Sequence, residues 1–234
     1  MNKFRIIFVT LLSLIAASAH SQTVPYSITA MGEYAYNTTY GHQSGLDLLG
    51  YLPVSSHFDI SPALQTSTAN VHTAAVQARA LFPLGPGDLY LKNRIIFRAV
   101  ARSGMYDLSA GLSLGYDWDY VEAEFGMFSR FVDTFGRDIH STDETLCEPF
   151  NLLYRIEGRL RPKTSRWNAV LSVSNADLFQ LERMWQPIFS LGGRYSITER
   201  VGLRLDAVLK PAGMFHLNAE FYSIAVRAGA TITF

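Results

Sequence analysis

Basic side chains recur at every second position in several stretches of the sequence, and acidic side chains accompany them. Three rows are the clearest: Lys92, Arg94 and Arg98; Arg155, Glu157 and Arg159; and Arg204 with Asp206. Guanidinium groups bind carboxylate or phosphate through paired hydrogen bonds, and rings of Arg and Lys select anions in pores. If the rows face one enclosed space, they could bind anionic solutes, or they could pair with one another and fill that space.

Two histidines stand near carboxylates in a way that proton-transfer chemistry would use. Asp138 precedes His140 and Ser141, and His216 lies four residues before Glu220. An Asp–His pair can activate a serine or a water, and residues four apart share one face of a strand. Both groups also fit a solvated loop or rim, which is the interpretation that we prefer. The sequence contains no HExxH, CxxC or glycine-rich phosphate motif, so we predict no catalytic site, no metal and no other cofactor.

The elements that must position these side chains are β-strands, because apolar and polar residues alternate with a period of two. From Tyr222 to Phe234 every second residue is apolar or aromatic, and those between are small or polar. This pattern predicts an all-β antiparallel barrel of about 12 strands, with 10 or 14 as alternatives. We predict strands near 26–36, 45–53, 58–66, 71–82, 88–101, 105–116, 120–131, 150–161, 167–175, 187–197, 201–210 and 216–234.

The connections between these strands alternate between short turns and longer loops. Every second connection is short, and several contain the Pro, Gly or Asp that tight turns need. The two longest, 132–149 and 176–185, fall on the other side. In the segment 176–186, Leu178, Leu181 and Trp185 recur at helical spacing, so it could form a short amphipathic helix that acts as a lid or a docking surface. A soluble β-sandwich or lipocalin-like barrel would show the same alternation with its apolar face inward.

The two ends of the sequence distinguish these possibilities. Lys3 and Arg5, a short apolar run and the stretch Ala17-Ser-Ala19 predict a signal peptide over residues 1–21, cleaved after Ala19 or Ser21, with the barrel over 22–234. A strand that closes on an aromatic residue resembles the last strand of bacterial outer-membrane β-barrel proteins. The resemblance implies an outer-membrane location, contact with lipid and lipopolysaccharide, and an assembly signal at Tyr222, Ile232 and Phe234 that the assembly machinery reads. It implies no nucleic-acid partner and leaves the oligomeric state open.

If the apolar face of each strand contacts lipid, the alternate, charged face must line the lumen. The reason is that an Arg or Lys facing lipid at the bilayer midplane costs about 2–4 kcal/mol. Twelve basic residues then point inward: Arg79, Lys92, Arg94, Arg98, Arg130, Arg155, Arg159, Arg161, Arg194, Arg204, Lys210 and Arg227. Seven acidic residues accompany them: Glu33, Asp47, Asp107, Glu122, Glu124, Glu157 and Asp206. The surplus of five positive charges predicts a narrow channel for small anionic or polar solutes, similar in strand number and basic lining to small porins that admit acidic oligosaccharides.

Two further hypotheses remain at this point. A lumen packed with Arg–Glu pairs would make a closed structural or adhesion barrel, whose loops bind partners. An outer-membrane hydrolase is the third possibility, and no convincing set of catalytic residues supports it.

Overall fold

The computed structural model describes residues 25–38, 41–101, 104–134, 146–211 and 222–234. These residues form twelve antiparallel strands that close into a single barrel, in which every strand pairs with its neighbours in sequence. The strands are β1 (Ser27–Asn37), β2 (Gly41–Ser55), β3 (Phe58–Ser67), β4 (Val71–Leu84), β5 (Gly87–Val100), β6 (Met105–Asp117), β7 (Val121–Thr134), β8 (Leu146–Arg159), β9 (Trp167–Ser174), β10 (Ile188–Ser196), β11 (Val201–Pro211) and β12 (Tyr222–Thr233). The twelve-stranded barrel predicted from the sequence is confirmed.

The seam between β1 and β12 closes the barrel over the full length of β1, from Ser27 opposite Thr233 to Asn37 opposite Ser223. At its lower edge Phe234 stacks on Tyr26, with ring centroids 4.9 Å apart. We call this the terminal end of the barrel and the opposite end the loop end. The connections at the terminal end are two to seven residues long, whereas the two connections that span 135–145 and 175–187 lie at the loop end. The prediction that one end has short turns and the other has the two longest connections is therefore confirmed, although 38–40, 68–70 and 101–104 at the loop end are also short.

Strand β8 begins four residues earlier than predicted and contains a bulge. Opposite β7, the register shifts between Phe128 and Arg130, where β8 gains one residue at Pro149-Phe150. Proline has no N–H to give to the ladder, so a bulge is where a strand tolerates it. On the loop-end side of the bulge, the residues of β8 that face the lumen are therefore shifted by one. As a result, Glu148 stands opposite Arg130. A strict count by twos does not detect this change.

Large apolar side chains cover the outside of the barrel. Those that are 53–61% exposed include Leu112, Leu114, Phe125, Ile156, Leu171, Leu191 and Leu205. A soluble barrel would bury this parity and expose the charged one, whereas here the charged side chains point into the lumen. In the part of the chain that the structure describes, no helix has the length and apolar character needed to cross a bilayer. The barrel therefore has apolar side chains outside and charged ones inside, as predicted for a membrane barrel and unlike a soluble one.

Aromatic rings gather near both edges of this apolar band. At the terminal end Trp118 packs edge-on against Tyr120, with centroids 5.2 Å apart. Toward the loop end, Tyr106 lies between Phe97 and Phe131. Two aromatic girdles at the edges of an apolar band are typical of transmembrane β-barrels.

Candidate functional site

One side of the lumen is filled by ion pairs centred on Glu124 of β7. Lys92 Nζ lies 2.8 Å from its Oε2, and Arg94 approaches both oxygens, with Nη2 at 2.7 Å from Oε2 and Nη1 at 2.5 Å from Oε1. Ser113 donates a further hydrogen bond. The Glu124 side chain has no exposed surface, so its carboxylate has lost its hydrating water. The three donors replace the hydrogen bonds that this water would have made.

The same network continues toward the terminal end. Arg159 contacts three carboxylates, those of Asp117 at 3.0 Å, Glu122 at 3.0 Å and Glu157 at 2.9 Å. Tyr90 is fully buried and donates to Glu122 at 2.8 Å. Its ring occupies the space above Gly115, where a Cβ would lie 2.3 Å from the Tyr90 ring, so glycine is required there. We call the set Tyr90, Lys92, Arg94, Asp117, Glu122, Glu124 and Arg159 the polar wedge.

Two smaller ion-pair groups flank the polar wedge. Arg79 lies 2.9 Å from Asp59 near the terminal end. Toward the loop end, Arg98 and Arg130 both contact Asp107 Oδ2, at 2.8 and 2.7 Å. Basic side chains from β4 to β7 are therefore largely occupied by carboxylates of the same barrel.

The connection 175–187, which we call the inner segment, folds into the lumen instead of covering its mouth. It contains no helix, so the suggested amphipathic helix is wrong. Phe179 and Leu181 are 3% and 2% exposed. They belong to one cluster with apolar residues that point inward from the wall: Ala63, Ala75, Ile96, Phe128 and Leu153. The apolar residues of the segment cover this patch. The free energy gained by burying them outweighs the preference for a helix that their spacing indicated.

Asn175 fastens the inner segment to the wall. Strand β8 pairs with β9 only from Arg155 to Arg159, which leaves the upper part of β8 without a strand on that side. The Asn175 side chain accepts a hydrogen bond from Tyr154 N at 2.8 Å and donates to Leu152 O at 2.7 Å. It also donates to Glu182 O at 2.8 Å, which ties the two ends of the segment together.

Asp177 anchors the inner segment on the other side of the lumen. Its carboxylate lies 3.1 Å from Arg227 Nη2 and 3.4 Å from Lys210 Nζ. Burial by itself would raise the pKa of Asp177, but Arg227 and Lys210 hold that pKa well below its ordinary value. Burial raises the pKa of Glu182 in the same segment, where Lys210 offsets part of the effect. Asp177 is therefore charged throughout the physiological range, and its ion pairs persist there.

Three chambers lie beside the filled part of the lumen and are bordered by residues that the structure describes. The loop-end chamber is about 260 Å³ and borders Phe179, Lys210 and Arg227. The middle chamber is about 140 Å³ and also borders Arg227. The terminal-end chamber is about 440 Å³ and shares Leu178, Arg194 and Arg204 with the middle one. The chambers are thus adjacent, and arginine side chains stand at both junctions.

The predicted lumen residues fall into two groups. Those that pair within the filled side are Arg79, Lys92, Arg94, Arg98, Arg130 and Arg159. Those that border the middle chamber are Arg155, Glu157, Arg194, Arg204 and Asp206. Arg161 does not point inward as predicted. Strand β8 ends at Arg159, and the Arg161 guanidinium lies 3.9 Å from the ring centroid of Trp167, an outward residue.

Sequence reasoning missed the contribution of the inner segment and of three serines. Asp177, Leu178 and Phe179 line chambers, although residues 176–186 were expected outside. Ser172, Ser174 and Ser190 line the middle chamber from β9 and β10. The period-two pattern does place the serines inward, but nothing in the sequence sets them apart from other small polar residues on that parity.

The remaining predicted residues are placed as follows. Ile232 and Phe234 face outward on β12, at 48% and 57% exposed, and the Tyr222 side chain lies outside the described part. The candidates Asp138, His140, Ser141, His216 and Glu220 also lie outside the described residues. Within the described ranges, no group of three or more His, Cys, Asp or Glu could hold a metal ion.

Comparison with known proteins finds similarity only in structure. No protein-family model matches the chain, and no curated protein sequence matches it. The KdgM porin in complex with disordered oligogalacturonate is 8% identical, with a TM-score of 0.54 over 88% of this chain and 99% of that one. The NanC porin is 10% identical, with a TM-score of 0.52 over 87% and 98%. The translocator domain of the autotransporter NalP from Neisseria meningitidis is 11% identical, with a TM-score of 0.53 over 99% and 96%. The chain therefore has the fold of the outer-membrane β-barrels.

Proposed function

We propose that this protein is a narrow channel of a bacterial outer membrane that favours small anionic solutes. The apolar band and the aromatic girdles support the membrane location, and the same fold in outer-membrane porins agrees with it. On this proposal the signal peptide 1–21 directs export. The assembly machinery reads the closing strand, and lipid with lipopolysaccharide surrounds the barrel.

The observation that carries the proposal is the surplus of basic residues along the three chambers. The loop-end chamber has three basic residues against two acidic ones, the middle chamber four against three, and the terminal-end chamber three against one. Arg194, Arg204 and Arg227 each border two chambers, so the three chambers together have seven basic residues against six acidic ones. A small positive surplus at each step attracts anions and repels cations without trapping the anion in one place. Among the described residues, the site offers ion-binding groups and no acid–base set, so we propose transport and not catalysis.

One structural neighbour agrees with an anionic solute. The KdgM porin was solved in complex with oligogalacturonate, a chain of acidic sugars. The NalP domain shares the fold but belongs to an autotransporter, so the fold alone does not decide between these roles. The choice between a channel and another role therefore depends on the charges along the chambers.

A closed barrel is the second candidate, and the inner segment favours it. Leu178 borders both the middle and the terminal-end chambers, Phe179 borders the loop-end chamber, and the polar wedge fills the opposite side. If these groups seal the lumen, the protein would act through its loops on partners at the cell surface.

Single-channel conductance in a planar bilayer with a salt gradient tests the proposal. We expect a small steady conductance with anion preference, and Arg194→Glu should reduce or reverse that preference, because it places a negative charge at the junction of two chambers. Arg161→Glu is the matched control, since it makes the same charge change on the outside of the barrel.

Cation preference of the unmodified protein would overturn the proposal. A barrel that is folded and heat-modifiable but carries no current would support the closed barrel instead.

A further inference from the structure

We propose that the loop-end chamber takes up an uncharged amphiphile with one alkyl chain, such as a medium-chain alcohol, through the side of the barrel between β8 and β10. The amphiphile would come from the leaflet of the bilayer that surrounds the loop end. This inference goes beyond the proposed channel function, from which it takes only the membrane location.

The first observation is a free strand edge inside the apolar band. Strand β9 pairs with β8 only up to Arg155, whereas β8 continues to Leu146. Phe131, a ring of the girdle toward the loop end, stands opposite Cys147. Residues 147–153 therefore lie below that girdle and leave about 20 Å of β8 without a neighbouring strand, at about 3.3 Å per residue. Lipid does not tolerate an open strand edge, so another part of the chain must cover this one.

Residues 182–187 of the inner segment cover this edge and form the whole thickness of the wall there. Gln186 and Pro187 border the loop-end chamber. Met184 and Trp185 are 47% and 40% exposed and border none of the three chambers. A single stretch of chain thus separates the lipid from the chamber.

Side chains, and not a strand ladder, attach this stretch to β8. Tyr154, on the outward face of β8, donates its hydroxyl proton to Met184 O at 3.3 Å. Arg183 pairs with Glu148. Among the described residues, 183–187 make no backbone hydrogen bond to a strand. A stretch without such bonds opens at a lower free-energy cost than the strands beside it, so this is where the wall can part.

The second observation is an apolar wall inside the loop-end chamber. Ala35, Val208 and Ala225 belong to one buried cluster and border the chamber, and Phe179 of the inner segment borders it too. Such a surface suits an alkyl chain better than it suits water or an ion. The chamber is about 260 Å³. Since a cavity of about 150 Å³ binds benzene, with its six carbons, this one has room for a chain of about ten carbons.

The polar groups of the chamber favour an uncharged head group. Each cation that borders it already contacts a carboxylate of the barrel: Arg98 contacts Asp107, Lys210 contacts Asp177, and Arg227 contacts Glu33. An anion can pass these pairs, but it finds no free cation to hold it. Gln43 and Gln186 also border the chamber, and among the described residues neither side chain makes a hydrogen bond. A carboxamide both donates and accepts, which matches a hydroxyl group.

Photolabelling tests the site. Decan-1-ol with a diazirine in its chain is added to the refolded protein in phospholipid vesicles and irradiated, and mass spectrometry locates the label. We expect the label on the inward residues Phe179, Val208 or Ala225, and unlabelled decan-1-ol should compete it away. Decanoate and decylamine should not compete, because the chamber offers no free charge of either sign.

Two variants test the route. Tyr154→Phe should speed the inward labelling about fivefold, since one hydrogen bond that holds the stretch is lost. Tyr195→Phe is the matched control, because it removes an outward hydroxyl at the terminal end. In a Cys147→Ser background, Glu148→Cys with Arg183→Cys allows a cleavable bis-maleimide to join β8 to the stretch. This cross-link should abolish inward labelling, and cleavage of the linker should restore it.

Label confined to outward residues would overturn the site. Inward labelling that persists in the cross-linked protein would overturn the lateral route, and competition by decanoate as strong as that by decan-1-ol would overturn the uncharged class. The readout needs no current. An anion-selective current without inward labelling leaves the channel function standing, whereas inward labelling in a silent barrel supports this site while the channel function fails.

Discussion

At the scale of single residues, Glu124 joins β7 to β5 within the polar wedge. It is contacted by Lys92 and Arg94, both on β5. A buried carboxylate between two cations is stabilising only as long as all partners are present, because each charge has lost its water. Removing the acid is therefore more harmful than its single charge suggests.

Glu124→Gln should destabilise the barrel by about 3–5 kcal/mol, since it leaves Arg94 buried without its acid and Lys92 with only Glu122, at 3.6 Å. The measurement is urea-induced unfolding of the barrel in phospholipid vesicles, followed by tryptophan fluorescence. Glu199→Gln, in the exposed turn between β10 and β11, is the control and should change stability by less than about 0.5 kcal/mol. Similar effects of the two substitutions would contradict the role given to the polar wedge.

At the scale of elements, the inner segment decides how much of the lumen stays open. Its three polar fastenings come from Asn175, Asp177 and Arg183, and the last of these pairs with Glu148 of β8. Its apolar side covers the inward patch of Ile96, Phe128 and Leu153. The segment is thus attached to the wall on both sides of the lumen and yet contributes no strand to it.

Asn175→Ala should loosen the inner segment and give a larger and less steady conductance, because three hydrogen bonds to Tyr154, Leu152 and Glu182 are lost. The wall should stay folded, since its strand pairings do not involve this side chain. Asn168→Ala is the matched control: it removes another buried asparagine from the same β-hairpin, at the end away from the segment. Unchanged conductance in Asn175→Ala would show that the segment does not limit the current.

The strands could be predicted from the sequence, whereas the inner segment could not. Lipid outside and charges inside impose strict alternation on each strand, so Arg94, Arg155 and Arg204 were placed inward correctly. The segment obeys no such rule. Leu178 and Leu181 have the spacing of a helix, and what overrides it is an apolar patch assembled from residues of five different strands. Contacts of that kind arise only once the barrel has closed.

At the scale of the whole molecule, the outer band fixes the depth at which the barrel sits in the membrane. Leu112 lies near the middle of β6 and is 53% exposed, whereas Val121 begins β7 at the terminal end. Substitutions at these two outward positions therefore sample the centre and the edge of the apolar band.

Leu112→Arg should cost about 2–4 kcal/mol of folding free energy in a bilayer, and Val121→Arg about 0–1 kcal/mol, because the cost of a charge falls from the midplane to the interface. The measurement is equilibrium folding into phospholipid vesicles. Equal costs at the two positions would mean that the band does not lie in the bilayer as proposed.

The division of the lumen into a packed side and a chambered side separates two kinds of constraint. The polar wedge, which runs from β5 to β8, gives rigidity, and each of its members depends on several others. Arg194 and the serines of β9 and β10 border the chambers with few mutual ties. Over evolutionary time, the first group should change slowly, whereas the second can change with the solute without unfolding the barrel. Related barrels can then acquire a new solute specificity through a few substitutions while keeping the same scaffold.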